Sequence, residues 1–363
     1  MTETDDIASQ RLLLSGFESA YLTPNRVLIF AAMVAQSSQE EQKRRRRGKL
    51  VKGLLLGGAA VGLPALANAL IARRNERLAL PSWGRHHRYA WKYGEISFQR
   101  LGTGDPLLML HSFGPGHDAE EWRPAAEMLA ERHLIYAPDL LGWGRSDKPR
   151  LPYDGELYIR LIGDFLEDVV AQRCSIVAAG LAAAYAVQIA LDRPELVGSL
   201  ALVVPSGIEI HGEEPDLKDA LVHRLLRLPV LGTSALNLFT SRTAIGQYLK
   251  REVFLGPEQV DAARVEHHYR SSHQPGSHGA LAAFLSGYLN HSVHEAVGRL
   301  QNPLWIGWGR DATDPPVETA DLWLQQSSGA QLEVFEDSSN LPHLEASARF
   351  TQRLSPFLAP AVD

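Results

Sequence analysis

The side chains that could attack a substrate or move a proton are unevenly spread along this chain. Ser112 follows an all-apolar run, Leu107-Leu-Met-Leu110, and stands in the stretch His111-Ser112-Phe113-Gly114-Pro-Gly116. A hydroxyl placed there could open an acyl bond if a neighbouring base took its proton. Ser206, just past the apolar run Leu200–Val204, is a similar candidate. Neither has a clear base partner in the sequence. Ser175 and the single cysteine, Cys174, open a short apolar run, and a structural role is expected of both. His343 follows Pro342 and is a weak candidate for a displaced base, and Asp311 is a candidate acid. Eight of the fourteen histidines fall between His211 and His294. His291 and His294 could share a helix face, but the spacing is irregular and carboxylates are not matched to it, so no metal site is expected.

Stepping outward, these residues need a scaffold. From Tyr89 onward short apolar or alternating runs, read as strands, alternate with longer runs of helical periodicity. Tyr89–Tyr93, Ile96–Leu101, Leu107–Leu110, Leu134–Ala137, Ser175–Ala178, Leu200–Val204, Leu304–Trp308 and Gln331–Phe335 are expected strands. Ala119–Glu131, Leu157–Gln172, Leu181–Leu191, Val317–Gln326 and Ala346–Leu358 are expected helices. Such alternation predicts an α/β fold with a mostly parallel central sheet and helices on both faces. Between His211 and Arg299 the rhythm stops and only helices are expected, so 211–298 is read as a helical cap inserted into a core of 88–210 and 299–363. At the centre of the core, Cys174-Ser-Ile-Val-Ala-Ala-Gly180-Leu181-Ala-Ala-Ala-Tyr-Ala-Val-Gln-Ile-Ala190 reads as a buried strand, a sharp turn of small residues and a helix. The turn contains neither a hydroxyl nor a thiol.

The first 87 residues are of another kind. Residues 1–52 form a helical, basic extension with the cluster Lys43 to Lys52. Residues 53–72 carry no charge, and at about twenty residues they have the length of a membrane-spanning helix. The excess of basic residues before this segment would keep the N-terminus cytoplasmic. A helix lying on the membrane surface, a packed helical arm and a cleaved leader are the alternatives, and 73–87 is a linker. With 363 residues, 45% of them apolar, the chain suits one large domain with appendages. A net charge of −6 gives no reason to expect nucleic acid. One cysteine excludes an intramolecular disulfide.

From about residue 88 to the C-terminus the chain resembles the α/β-hydrolase superfamily, in its capped, lipase- and esterase-like form. Leu108-Met-Leu-His111-Ser-Phe-Gly114-Pro-Gly116 resembles the strand and loop that help form the oxyanion hole. Ala137-Pro-Asp139-Leu-Leu-Gly142-Trp-Gly144-Arg-Ser146-Asp-Lys-Pro149 is similar to the Asp-Leu-x-Gly-x-Gly-x-Ser-x-x-Pro loop. Trp308-Gly309-Arg-Asp311 resembles the segment carrying the acid, and Ser339-Asn340-Leu-Pro342-His343-Leu-Glu345 the segment carrying the base. The resemblance implies a Ser, Asp or Glu, and His in that order. By position the serine falls on Gly180, the acid on Ala312 or its neighbour Asp311, and the histidine on Asn340. Glycine has no attacking atom, and an amide is no base near neutral pH. His343 matches a second, non-catalytic histidine of the family.

The expectation is therefore a membrane-tethered protein of this fold without the usual serine and histidine. It would bind a small apolar ligand or an acyl compound, or a partner, in a pocket with His111, Ser112, Phe113, Gly114 and Leu181 in its wall, and use no cofactor. The alternatives are an active hydrolase of ester or related acyl bonds with a rearranged set, for example Ser112 with His343 or Asp311, and a structural subunit of a membrane-protein complex.

Overall fold

A computed structural model describes residues 51–75, 79–209 and 215–359, and for 51–61 and Asn75 the backbone only. Residues 1–50 of the basic extension expected over 1–52, His211 and the last four residues lie outside the described residues.

Eight strands form one sheet: β1 (Arg85–Trp91), β2 (Gly94–Leu101), β3 (Asp105–Leu110), β4 (His133–Pro138), β5 (Cys174–Ala179), β6 (Val197–Val203), β7 (Leu304–Gly309) and β8 (Gln331–Phe335). Their order across the sheet is β1-β2-β4-β3-β5-β6-β7-β8. β1 and β2 pair antiparallel, β2 pairs antiparallel with β4, and every pair from β4 to β8 is parallel. Parallel strands covered on both faces should be continuous apolar runs. Leu107 to Leu110 is wholly buried in β3, and β7 is buried from end to end.

Helices α1 (Val51–Asn75), α2 (Arg123–Leu129), α3 (Gly155–Phe165) and α4 (Ala182–Asp192) precede the cap. Asp154 caps α3 by accepting the Leu157 amide, a contact worth about 1 kcal/mol. The expected helix over 157–172 divides at Phe165. A wider π-type turn, Leu166–Val170, follows, and Ala171 at φ 56 ends it in the left-handed region. Helix α4 is buried along most of its length, and its alanines let it lie close to the sheet. Among the described residues, 215–298 hold helices and no strand: α5 (Leu217–Leu226), α6 (Leu231–Phe239), α7 (Arg242–Tyr248), α8 (Ala262–Ser272) and α9 (His278–Leu285). The chain then returns to β7, α10 (Ala320–Gln326), β8, the single turn α11 (Pro342–Glu345) and α12 (Ser347–Leu358).

One expectation needs correction. Residues 85–87 belong to β1 rather than to a linker. As an exposed edge strand pairing only with β2, the segment has no apolar alternation to reveal it. The uncharged segment 53–72 forms part of helix α1, and among the described residues no helix is long and apolar enough to cross a membrane. Helix α1 packs on the cap. Asn68 Nδ2 donates to Val230 O and Ser234 Oγ, each at 3.0 Å, and Asn237 Nδ2 donates to Asn68 Oδ1 at 2.9 Å.

The order β4-β3-β5 matters for function. After β3 the chain crosses to one neighbour, and after β5 to the other. The loops leaving the carboxyl ends of β3 and β5 therefore diverge and leave a crevice, the usual binding position in such sheets. β3 and β5 are paired up to Leu110 and Ala178, so Ser112 and Gly180 face one another across that crevice.

Candidate active site

Gly180 is the apex of the strand-to-helix turn between β5 and α4. Its φ is +56, a region glycine enters freely and other residues enter at a cost. The turn is held by Gly180 N donating to Val203 O at 2.9 Å and by Ser206 N and Ala183 N donating to Gly180 O, each at 3.2 Å. A Cβ built on Gly180 would meet only the Ser112 Cβ, at 3.6 Å, an ordinary contact. The space a side chain would fill is open.

The opposite wall carries the reactive groups. Ser112 Oγ lies 2.7 Å from His117 Nδ1 and donates to Glu121 Oε2 at 2.7 Å. Glu121 Oε1 accepts the Ser112 amide at 2.7 Å, and His117 Nδ1 is 3.1 Å from Glu121 Oε2. The other His117 nitrogen, Nε2, is 3.2 Å from the Tyr248 hydroxyl of α7. The local sequence explains the cluster. His117 and Glu121 are four residues apart, and the turn Ala119–Trp122, capped by Asp118 accepting the Glu120 amide, aims both side chains back at Ser112. Gly114 makes room for this: a Cβ there would come within 2.7 Å of His117 and 2.8 Å of the Tyr248 hydroxyl.

Glu121 is buried. Burial alone would raise its carboxyl, but hydrogen bonding by His117 and the proximity of His343 and His117 outweigh that and hold it well below the usual range. That direction favours the ionised carboxylate, which is an acceptor only. His268 of α8 meets the His117 ring edge-on at 5.0 Å. Burial, then the neighbouring His117 and His267, push His268 down to about 3, so it is neutral and does not repel charge on His117.

The crevice between these walls is lined by Ser112, Phe113, His117, Gly180, Leu181, Val204 and Ser206 of the core, by Tyr248, Glu252, Val253 and Phe284 of the cap, and by Asp314, Asn340 and Leu341. Of the residues expected in the wall, Ser112, Phe113 and Leu181 are there; His111 and Gly114 stand behind it. His111 is fully buried, donates from Nδ1 to Ser112 O at 2.7 Å and accepts the Leu140 amide at Nε2 at 3.0 Å. With one acceptor and one donor as partners, its ring is the neutral Nδ1–H tautomer. It shapes the loop and has no free nitrogen for chemistry.

Asn340 reaches the crevice, but both ends of its amide are occupied. Oδ1 accepts from Thr313 N at 3.1 Å and Asp314 N at 3.4 Å, and Nδ2 donates to Glu252 O and to Thr313 Oγ1. Asp311 is exposed and does not line the crevice, whereas Asp314, three residues on, does. His343 is fully buried, its ring stacked on Trp122 at 4.0 Å, with Nε2 3.6 Å from Glu121 Oε1. It reaches Ser112 only through Glu121. Ser206 lines the floor with no histidine bonded to it. Burial pushes the Cys174 thiol up to about 12, which makes it a poor nucleophile. His117 and Glu121 were not foreseen from sequence. The signal is the run Ser112-x4-His117-x3-Glu121, a hydroxyl, an imidazole and a carboxylate within ten residues.

A mostly parallel sheet, a sharp strand-to-helix turn at its switch point, a facing loop led by histidine and a helical cap together define an α/β hydrolase. The chain belongs to that family: the model of the alpha/beta hydrolase family matches residues 107–353. It is 31% identical over 237 residues to a 2-hydroxy-6-oxo-6-(2'-aminophenyl)hexa-2,4-dienoic acid hydrolase of Metapseudomonas resinovorans, covering 63% of this chain and 76% of that one. It is 25% identical over 268 residues to a 2-hydroxymuconate semialdehyde hydrolase of Pseudomonas sp. strain CF600, covering 72% and 89%. Among solved structures, a serine hydrolase involved in carbazole degradation superposes with a TM-score of 0.63 at 20% identity, over 75% of this chain and 98% of that chain.

Proposed function

We propose that this protein hydrolyses an ester or related acyl bond with a catalytic set moved off the elbow: Ser112 as nucleophile, His117 as general base and Glu121 as the group that orients both. The carrying observation is the Ser112 hydroxyl within 2.7 Å of both His117 Nδ1 and Glu121 Oε2, across from the open space above Gly180. The hydrolase names of the relatives support the reading.

The chemistry follows from the contacts. For reaction the His117 proton moves from Nδ1, where it faces Glu121, to Nε2, where it faces the Tyr248 hydroxyl, and the Ser112 hydroxyl turns from Glu121 to the bared Nδ1. Ser112 Oγ bonds to the acyl carbon as its proton passes to Nδ1. The ionised Glu121 carboxylate stabilises the imidazolium so formed, the part the acid plays in a triad. The carbonyl oxygen becomes an oxyanion at the N-terminus of α4, where the Leu181 amide is placed as the residue after a nucleophile would be. His117 then returns the proton to the leaving alkoxide as the C–O bond breaks, and water repeats the sequence to free the acid. A substrate above Gly180 occupies volume that a serine side chain fills in other members.

A second reading, a non-catalytic protein that binds a small apolar or acyl ligand, is favoured by one observation: the Asn340 amide is spent entirely on backbone and side-chain bonds, and the Ser112 proton can rest on Glu121 instead of His117. One experiment separates the two. Treat the full chain with a fluorophosphonate and locate the adduct by mass spectrometry. Labelling at Ser112, lost in Ser112→Ala and His117→Ala, supports the hydrolase. A protein that stays unlabelled and turns over no member of an ester panel is the ligand-binding protein.

A further inference from the structure

The cap has an outer surface as unusual as its inner one. Helix α1 packs on α6, and α6 packs on α5, so the three form one layer. The Asn68 bonds to Val230, Ser234 and Asn237 fix which side of α1 looks inward. At about 100° per residue, Leu63, Leu66 and Leu70 fall on the opposite side of that helix. They are exposed, Leu63 to 67%. On α5, Leu217, Leu221 and Leu225 recur every four residues and are also exposed, Leu217 to 91%; Leu228, Leu231 and Leu238 continue the set. Among the described residues eleven large apolar side chains are exposed, and nine belong to this layer. The other two, Tyr93 and Leu255, stand apart from it, so among the described residues the exposed apolar side chains concentrate on this layer.

Charge identifies what covers it. The chain as a whole is acidic, at −6, yet residues 43–77 contain ten basic side chains against one acid. Arg73 and Arg74 close α1, and Lys218 and Arg224 on α5 and Arg227 just past its end are exposed among the leucines, while Asp216 and Asp219 at the start of α5 are engaged in its capping box. Leucines beside arginines and lysines are the composition of a helix lying in the headgroup region of an anionic bilayer, where long basic side chains reach phosphate while leucines enter the acyl boundary. A crossing helix is a poorer fit, because Asn68 is tied to the cap and no helix among the described residues has the necessary length and apolarity.

We propose that the leucine-rich layer of α1, α5 and α6, with Arg73, Arg74, Lys218, Arg224 and Arg227 beside it, docks the protein flat on the surface of an anionic phospholipid membrane. This does not depend on whether the crevice is catalytic.

The test uses the full chain and vesicles of phosphatidylcholine, with and without about 30 mol% phosphatidylserine. Sedimentation should bring the protein down with the anionic vesicles and at least about tenfold less with neutral ones, and raising salt from about 0.1 to 0.5 M should weaken but not abolish binding. Two separate triple variants, Leu63→Ser/Leu66→Ser/Leu70→Ser and Leu217→Ser/Leu221→Ser/Leu225→Ser, change exposed residues and should keep the parent circular dichroism while each losing about tenfold in vesicle affinity. The proposal is overturned if the parent ignores anionic vesicles, or if the leucine variants bind them as well as the parent does. It is equally overturned if the variants only dissolve a solution oligomer, which would make the patch a protein interface.

Discussion

The two walls of the crevice contrast. The β5–α4 turn keeps the shape that presents a nucleophile and carries only Gly180 at its apex. The loop after β3, ordinarily a donor of backbone amides, carries Ser112, His117 and Glu121 bonded to one another. The sharp turn and the bonded Ser112-His117-Glu121 cluster stand here on the facing loops that leave β3 and β5, about one side chain apart. If the proposed function holds, a crevice at the switch point can offer its chemistry from either side.

The contrast can be broken most severely at Ser112. Replacement by alanine should lower ester turnover on the order of a thousandfold, while Gly180→Ala should leave the reactive groups in place. If steady-state rates were equal in Ser112→Ala and the parent, the reactive wall would be misassigned. Next is Glu121→Ala, which strands the Ser112 amide and leaves His117 and His343 without their shared carboxylate. Denaturant titration should show a loss of about 2–4 kcal/mol. Gly180→Ser sharpens the other side. The space is open, so the cost should be only about 1–2 kcal/mol from the positive φ, read as a lower melting temperature, with no gain in rate while Asn340 remains.

The smallest effect concerns how the cap is held over both walls. His267 of α8 bonds both Asp118 oxygens, at 2.9 and 3.0 Å. Burial alone would lower His267, but Asp118 outweighs it and raises it above 6.5. Burial would raise Asp118, but His267 and its bonds bring it well below 3.8. A raised imidazole stabilises the fold fully below its unfolded value and loses that contribution as pH climbs through the folded value. A depressed carboxylate contributes above its unfolded value and loses it as pH falls through the folded value. The pair is therefore strongest between about pH 4 and 6.5 and fades above that window. Melting curves across pH 5 to 9 should show about 1 kcal/mol of stability lost with rising pH in the parent and a flatter profile in His267→Gln.

Much of the fold could be read from the sequence because burial writes itself as pattern: Leu107–Leu110 and Leu304–Trp308 are strands sealed on both faces. β1 escaped because an exposed edge strand needs no such pattern. The break in the helix after Phe165 escaped because a widened turn keeps an apolar face while changing hydrogen-bond partners. At the site, motif order pointed to Gly180 and Asn340, and both line the crevice. His117 and Glu121 were not, since a loop has no period and their meeting depends on how Asp118 caps one short turn. Asp314 in place of Asp311 in the crevice turns on loop geometry, which residue counting alone does not give.

Asn340 puts a carboxamide between the cap and the loop after β7. A carboxamide can accept two N–H groups at one end while donating two at the other; neutral imidazole offers one of each, on opposite edges of a ring. At this position the side chain gathers the Thr313–Asp314 loop and, through Glu252 O, grips the cap, while its own amide donates to Val253 O at 3.3 Å. It ties the Thr313–Asp314 loop to the cap. A histidine installed there would have to abandon most of those bonds and would loosen the cap's hold on that loop.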